Sequence, residues 1–347
     1  MIVIIGTVGL PACYGGFETL VDNLVNGTDQ ENDIVVYCSS YSYNSKIKNY
    51  KGARLVYIPF KANGSQSIFY DIASFIHALF IRPKAVLVLG VSGCLFLPVF
   101  RWFSKSKVVT NIDGLEWRRE KWGKWAKRFL KFSEKQAVKY SDIVISDNQA
   151  IADYVTQEYG VKSSVIAYGG DHAVSVNIAN SDIGYALALC RIEPENNVEM
   201  ILEAFSQVDK RLKFIGNWNN SEFGLSMKLK YSKFSNIEII DPIYDLERLA
   251  EIRASCSFYV HGHSAGGTNP SLVEMMHFGK SIICFDCCYN RASTENMAAF
   301  FSDTISLVNS INTECNVSNG DSMLEIAQRR YTWDVVRKQY FNVIELR

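Results

Sequence analysis

The stretch Cys256-Ser257-Phe258-Tyr259-Val260, then His261-Gly262-His263-Ser264-Ala265-Gly266-Gly267-Thr268-Asn269, then Pro270-Ser271-Leu272-Val273-Glu274, decides how this chain is read. Its first five residues are an apolar run, the pattern of a parallel strand buried on both faces. Residues 271–277 follow as an amphipathic helix. Between them, a glycine pair and a Thr-Asn-Pro turn leave backbone N–H groups without partners, and the helix dipole adds positive potential there. An anion such as a diphosphate needs that environment. Glu274, one turn into the helix, is placed to accept hydrogen bonds from sugar or ribose hydroxyls beside the anion. Gly266, Gly267, Thr268, Asn269 and Glu274 are therefore donor-binding candidates of a nucleotide-sugar site.

Working outward, the same strand-then-helix unit recurs along the chain. Apolar runs at 2–5, 34–37, 54–58, 86–89, 108–111 and 143–146 alternate with helical patterns at 17–26, 67–79 and 117–140. A second series has strands at 185–189, 212–215, 237–240, 257–260 and 281–285, with helices at 198–206, 246–254 and 271–277. Uniformly apolar strands separated by helices predict parallel sheets covered on both faces. The expected fold is α/β, with two doubly wound Rossmann-like domains facing a central cleft. In such sheets ligands bind at the carboxyl ends of the strands. The expected domains are 1–170, 171–325 and a C-terminal helix at 326–347 within a helical tail that starts near 322. Gly169-Gly170 reads as a hinge, and 173–182, small and polar, as a linker.

Composition narrows the classes. Thirty-six basic residues balance thirty-six acidic ones, so no net field draws the whole molecule to nucleic acid. Nine cysteines are scattered, and Cys284-x-x-Cys287 has no matching pair, so buried reduced thiols are expected rather than a zinc site. Met1 to Gly6 reads as a first strand, lacking the basic leader of a secretion signal. Residues 85–100 carry no charge but are interrupted by Gly90, Gly93 and Pro98, too short for a spanning helix of about 20 residues.

Other motifs carry two readings each. The first loop, Gly6 to Glu18, is not a dinucleotide fingerprint. Gly15 and Gly16 either let a donor approach the backbone or simply form a turn. Asp113 and Glu116 end a predicted strand, where they suit an acceptor hydroxyl, with Asp113 the candidate base; the plain alternative is a turn Asp and a helix-capping Glu. From Trp117 to Lys131, Arg118, Arg119, Lys121, Lys124, Lys127, Arg128 and Lys131 face Glu120 alone, with Trp122 and Trp125 interleaved. That is either an anionic-membrane surface or a solvated basic face. Arg191 suits a bidentate phosphate contact or a surface ion pair. His261 and His263 stand in the loop before Gly266, as ligands of sugar or phosphate or as structural groups. Arg291 is a weaker phosphate candidate.

Taken in order, Pro11 to Thr19, Asp113 to Arg119, Ala167 to His172, Arg191 to Asn197 and Gly266 to Glu274 resemble the retaining glycosyltransferases of family four, with the GT-B fold. The first half is similar to bacterial rhamnosyltransferases and related enzymes of capsule, O-antigen and lipopolysaccharide assembly. The resemblance implies that the second domain binds the nucleotide sugar and the first the acceptor, and that the last helix crosses back onto the first domain. Glu274 matches the family's second paired glutamate, on the donor ribose, and Arg191 its phosphate arginine. The first paired glutamate is absent, Gly266 standing there, and the phosphate lysine falls at Asn196.

The expected activity is a retaining, metal-independent hexosyltransferase with no cofactor. It moves a sugar, rhamnose as first choice, from a nucleoside diphosphate to a polyprenyl-diphosphate-linked glycan. Asp113, His263 and Arg191 are the catalytic candidates. Tyr14, Asp113 and Glu116 are candidates for the acceptor; Gly15, Gly16, His261 and Arg291 join the donor set. The expected location is cytoplasmic, peripheral on the inner face of the plasma membrane through Trp117, Arg118, Arg119, Lys121, Trp122, Lys124 and Trp125. A sugar-nucleotide epimerase of the same fold and a catalytically silent subunit of a glycan-assembly complex are the alternatives.

Overall fold

A computed structural model describes residues 1–13, 15–26, 33–118, 122–174, 182–313 and 318–345. The chain divides into two compact units, Met1–Ala167 with Val336–Arg347, and Tyr168–Val335.

The first unit contains β1 (Ile2–Ile5), β2 (Ile34–Ser39), β3 (Asn49–Tyr50), β4 (Ala53–Ile58), β5 (Ala85–Leu89), β6 (Lys107–Asn111), β7 (Ile143–Ser146) and β8 (Ser164–Val165). They form one sheet in the order β3-β4-β2-β1-β5-β6-β7-β8, parallel except for the short antiparallel pair β3–β4. Its helices are α1 (Gly16–Val25), α2 (Ser67–Ile81), α3 (Leu97–Phe103), α4 (Lys124–Tyr140) and α5 (Gln149–Tyr159). Every residue of β1, β2 and β5 is buried, which is why these strands read as continuous apolar runs and not as an alternation.

The second unit contains β9 (Tyr185–Leu189), β10 (Arg211–Ile215), β11 (Ile237–Ile240), β12 (Phe258–His261), β13 (Ser281–Phe285) and β14 (Ala299–Phe301). Their order is β11-β10-β9-β12-β13-β14, all parallel. The helices are α6 (Val198–Phe205), α7 (Glu222–Tyr231), α8 (Leu246–Ser255), α9 (Pro270–Met276), α10 (Cys288–Ser293), α11 (Thr304–Asn312) and α12 (Gly320–Arg330). One last helix, α13 (Trp333–Glu345), begins in this unit and runs into the other. The winding reverses between β9 and β12, and ligands of such sheets sit at the carboxyl ends of the two strands flanking the reversal.

Two elements differ from expectation. Within the span expected as one helix, 117–140, the described residues form a 3-10 turn at Glu116–Arg118 and then α4, which starts after Gly123. The tail expected as one helix from 322 is α12 and α13, broken at Tyr331-Thr332. Among the described residues no helix is long and apolar enough to cross a membrane.

Candidate functional site

The loops after β9 and β12 are the pair that the reversal brings together, and they are stitched to each other. The Asn196 side chain donates to the Arg191 carbonyl (2.7 Å) and meets His263 Nδ1 (2.7 Å). Asn197 Nδ2 donates to the Gly262 carbonyl at 2.8 Å. Both the amide and the hydroxyl of Ser264 donate to the Glu195 carbonyl. A Cβ at Gly262 would stand 2.2 Å from the Asn196 carbonyl oxygen, so only glycine allows this approach. Asn196, at the position where the resembling family carries its lysine, is a buried strut and not a free cation.

Arg191 lies beside this strut. It is exposed, and its guanidinium makes no hydrogen bond or ion pair among the described residues. It therefore remains available to an anion. His261 and His263 lie inside the loop, 1% and 6% exposed, with ring centroids 6.0 Å apart. Burial, with His263 beside it, holds His261 well below the usual imidazole range. It is neutral near pH 7, and its Nε2 is buried with no hydrogen-bond partner among the described residues. Such an atom is ready for a donor or acceptor on a ligand.

Helix α9 forms where expected and for the expected reason. Asn269 caps it by accepting from the Ser271 amide (3.0 Å) and hydroxyl (2.7 Å), and Pro270 opens it. Its buried face is Leu272, Val273, Met275 and Met276. Before it, Gly266 holds φ +117, a conformation that favours glycine, with Gly267 next and Thr268 buried. With only seven residues, α9 adds a modest dipole, so donor groups in the loop matter more than the helix.

Glu274 faces two partners. One oxygen is ion-paired with Arg253 of α8, itself 4% exposed, and the other lies 3.4 Å from His172 Nε2. Burial pushes the Glu274 carboxyl up, but Arg253 and His172 outweigh it and hold it below the usual range. Sequence reading missed both partners: they lie 21 and 102 positions away, and neither belongs to the motif.

Arg291 pairs its fork with Asp286 at the surface, at 2.6 and 2.8 Å, and stacks over Phe300. Gly169 and Gly170, read as hinge residues, stand at close-packing positions beside the unit boundary. A Cβ at Gly169 would stand 2.5 Å from the Trp333 ring, and one at Gly170 2.7 Å from the Glu274 amide.

In the first unit, the loop before α1 is built on Glu18, 4% exposed. Its carboxylate accepts from the Val8 amide (2.6 Å), Thr7 Oγ1 (2.8 Å) and the Gly15 amide (2.8 Å). Gly15 and Gly16 stand at the start of α1. A carboxylate three residues after Gly15 was the available signal for this anchor. Asp113 adopts φ +63 and donates its amide to Asn111 Oδ1 at 2.9 Å. Glu116 accepts from the Trp122 indole at 3.1 Å, and Trp117 donates to Glu134 at 3.0 Å. Those two indole N–H groups are thus tied to carboxylates, while Trp125 is 81% exposed. Arg118 lies over the rings of Trp117 and Tyr154. Tyr14, Arg119 and Lys121 lie outside the described residues.

Residues 1–171 match the family model described as "Domain of unknown function (DUF1972)". Among curated proteins, none matches this sequence. Three solved structures share the fold over nearly the whole chain. Sucrose-phosphate synthase from Thermosynechococcus elongatus is 14% identical, with a TM-score of 0.80 over 99% of this chain and 97% of its own. HepE of Anabaena, solved with UDP-glucose, is 11% identical at a TM-score of 0.72, covering 99% and 98%. The lipopolysaccharide outer core galactosyltransferase WaaB is 14% identical at 0.66, covering 99% and 98%. The chain has the GT-B fold.

Proposed function

We propose that this protein is a glycosyltransferase that takes its sugar from a nucleoside diphosphate donor. The observation that carries the reading is the pair of interlocked loops at the β9/β12 reversal, with an exposed Arg191, unpaired among the described residues, on one and Glu274 held one turn beyond the other. Structural likeness to a protein solved with UDP-glucose and to a galactosyltransferase supports it.

In the proposed reaction the bond from the anomeric carbon to the diphosphate oxygen breaks, and the acceptor oxygen takes its place with configuration retained. The acceptor proton leaves with the departing diphosphate or passes to a carboxylate such as Asp113. Arg191 and the loop amides at Gly266 and Gly267 meet the charge that grows on the leaving group, where electrostatic catalysis is largest. Neutral His261 offers a hydrogen bond without adding charge, with His263 beside it. Glu274 holds the ribose. The first unit supplies the acceptor side, with Gly15, Asp113 and Glu116 as its candidates. The proposed acceptor is a lipid-linked glycan of bacterial surface polysaccharide, the proposed sugar rhamnose, and the proposed place the cytoplasmic face of the membrane. No metal is required in this scheme.

The test is a melting-temperature panel with UDP, GDP, ADP and dTDP, followed by transfer assays with the matching sugars and a polyprenyl-diphosphate glycan. A ligand bound only by the folded state raises the melting temperature. The expected result is one stabilising nucleotide, bound about tenfold more weakly by Arg191→Ala. No stabilisation by any of the four sinks the reading. Binding without transfer to any acceptor indicates a silent subunit, and sugar conversion without acceptor an epimerase.

A further inference from the structure

The segment from Tyr168 to His172 is built around Trp333, and its geometry leads to Glu274. The Gly170 amide donates to the Tyr331 carbonyl at 2.7 Å, and Asp171 Oδ1 accepts from the Trp333 amide at 2.8 Å. The Tyr168 and Trp333 rings meet edge to face at 4.7 Å. The absence of side chains at 169 and 170 lets the segment pass directly against Trp333 and the first turn of α9.

His172 is thereby fixed in direction as well as place. The Trp333 indole N–H, a donor only, reaches His172 Nδ1 at 2.9 Å. Nδ1 must accept, so the proton of the neutral ring is on Nε2, which faces Glu274 Oε1 at 3.4 Å. Arg253 holds the other oxygen. Glu274 and Asp171 both act through their charge on His277, whose Nε2 is engaged with the Tyr331 carbonyl at 3.0 Å. The carboxylate is clamped at both oxygens, yet each oxygen keeps a second lone pair for an incoming hydroxyl.

We propose that His172, oriented by Trp333, is a positioning residue that aims Glu274 at the vicinal hydroxyls of the donor's ribose. This rests on the nucleoside diphosphate reading above through the role given to Glu274. It assigns a function to the Tyr168–His172 motif and to Trp333 that neither has otherwise.

The test uses the tightest binder of UDP, GDP, ADP and dTDP, together with its analogue lacking the ribose hydroxyls. Both are titrated calorimetrically into wild type, His172→Phe and His172→Gln. Wild type is expected to prefer the natural nucleotide. His172→Phe should lose about tenfold in that affinity while binding the analogue as before. His172→Gln, whose amide N–H can reach the carboxylate, should recover most of the loss. An unchanged preference in His172→Phe overturns the proposal, as does equal weakening of both ligands, which marks a merely structural role. An NMR titration of the Glu274 carboxyl without ligand separates the two readings. It should move upward in His172→Phe. Identical titration in all three proteins overturns the clamp by itself, whereas wild type binding no nucleotide overturns the site's assignment.

Discussion

At the scale of single residues, a carboxylate's surroundings decide its role, and two carboxyls show opposite outcomes. Glu274, partly buried against a guanidinium, stays ionised. Asp71, in α2, is 5% exposed with no cation paired to it among the described residues, and burial pushes its carboxyl up to about 8, against a backbone donor at Gly93 that lowers it. A carboxyl whose folded pKa lies above its unfolded value binds its proton more tightly when folded. The stability this contributes is full below the ordinary 3.8 and is lost as pH rises toward about 8. Asp71→Asn cannot ionise, so its melting temperature should gain on wild type steadily from about pH 4 to 8, by several degrees in total, and hold level above that. A difference that is constant with pH would show that the Asp71 carboxylate has a partner. Such partnerships were the least legible part of the sequence. Arg191 and Glu274 could be picked out by residue type at a strand's end. Nothing in the order of residues links Glu274 to Arg253 or His172, because those pairings are made by tertiary folding. Arg291 too could be picked out by type at a strand's edge, while its surface pairing with Asp286, five positions earlier, was not foreseen.

Elements were read more easily, since period and apolarity are local properties. Buried strands such as β1, β5 and β12 announce themselves as apolar runs. The short strands β3, β8 and β14 do not, having two or three residues each. The break before α4 is marked by Gly123, which the helical spacing of tryptophans masked. With α4 placed, its charge pattern changes meaning. Lys127, Arg128, Lys131 and Lys135, with Trp117, Phe132, Glu158 and Tyr159, line a groove of about 580 Å³. Lys131 is met by Glu158 (3.0 Å) and Glu134 (3.5 Å), and lies over three aromatic rings. The other three cations have no ion pair among the described residues. If the membrane contact belongs to this groove of α4, Lys127→Gln/Arg128→Gln/Lys135→Gln should weaken binding to phosphatidylcholine vesicles containing phosphatidic acid. At about 1 kcal/mol per charge, the loss is roughly a hundredfold at low salt. Lys84→Gln/Lys105→Gln/Lys139→Gln removes as many exposed charges outside the groove and should cost clearly less. Equal losses would mean a diffuse field, and no loss from either triple a solvated face.

At the scale of the whole molecule, the doubled strand-helix series was enough to expect two doubly wound sheets, because each sheet needs its own covered core. The sequence could not show where the last helix divides its allegiance. Beyond Val335 the residues of α13 cluster with the first unit. Val336, Tyr340 and Ile344 are buried at helical spacing. Tyr340 Oη accepts from Asn111 Nδ2 at 2.6 Å, at the end of β6, and the Val343 carbonyl accepts from Lys107 Nζ at 2.6 Å. The first unit's core is therefore closed by residues more than two hundred positions from its sheet, a long-range contact whose loss acts on that unit. Tyr340→Ala removes a ring that is 1% exposed and leaves Asn111 Nδ2 without its partner. The expected cost is about 3–5 kcal/mol. Amide hydrogen exchange locates it: protection should fall in β5, β6 and β7 while β9, β10 and β12 exchange as in wild type. Faster exchange in both sheets by the same factor would show instead that the two cores open as one cooperative block, with α13 as the element that couples them.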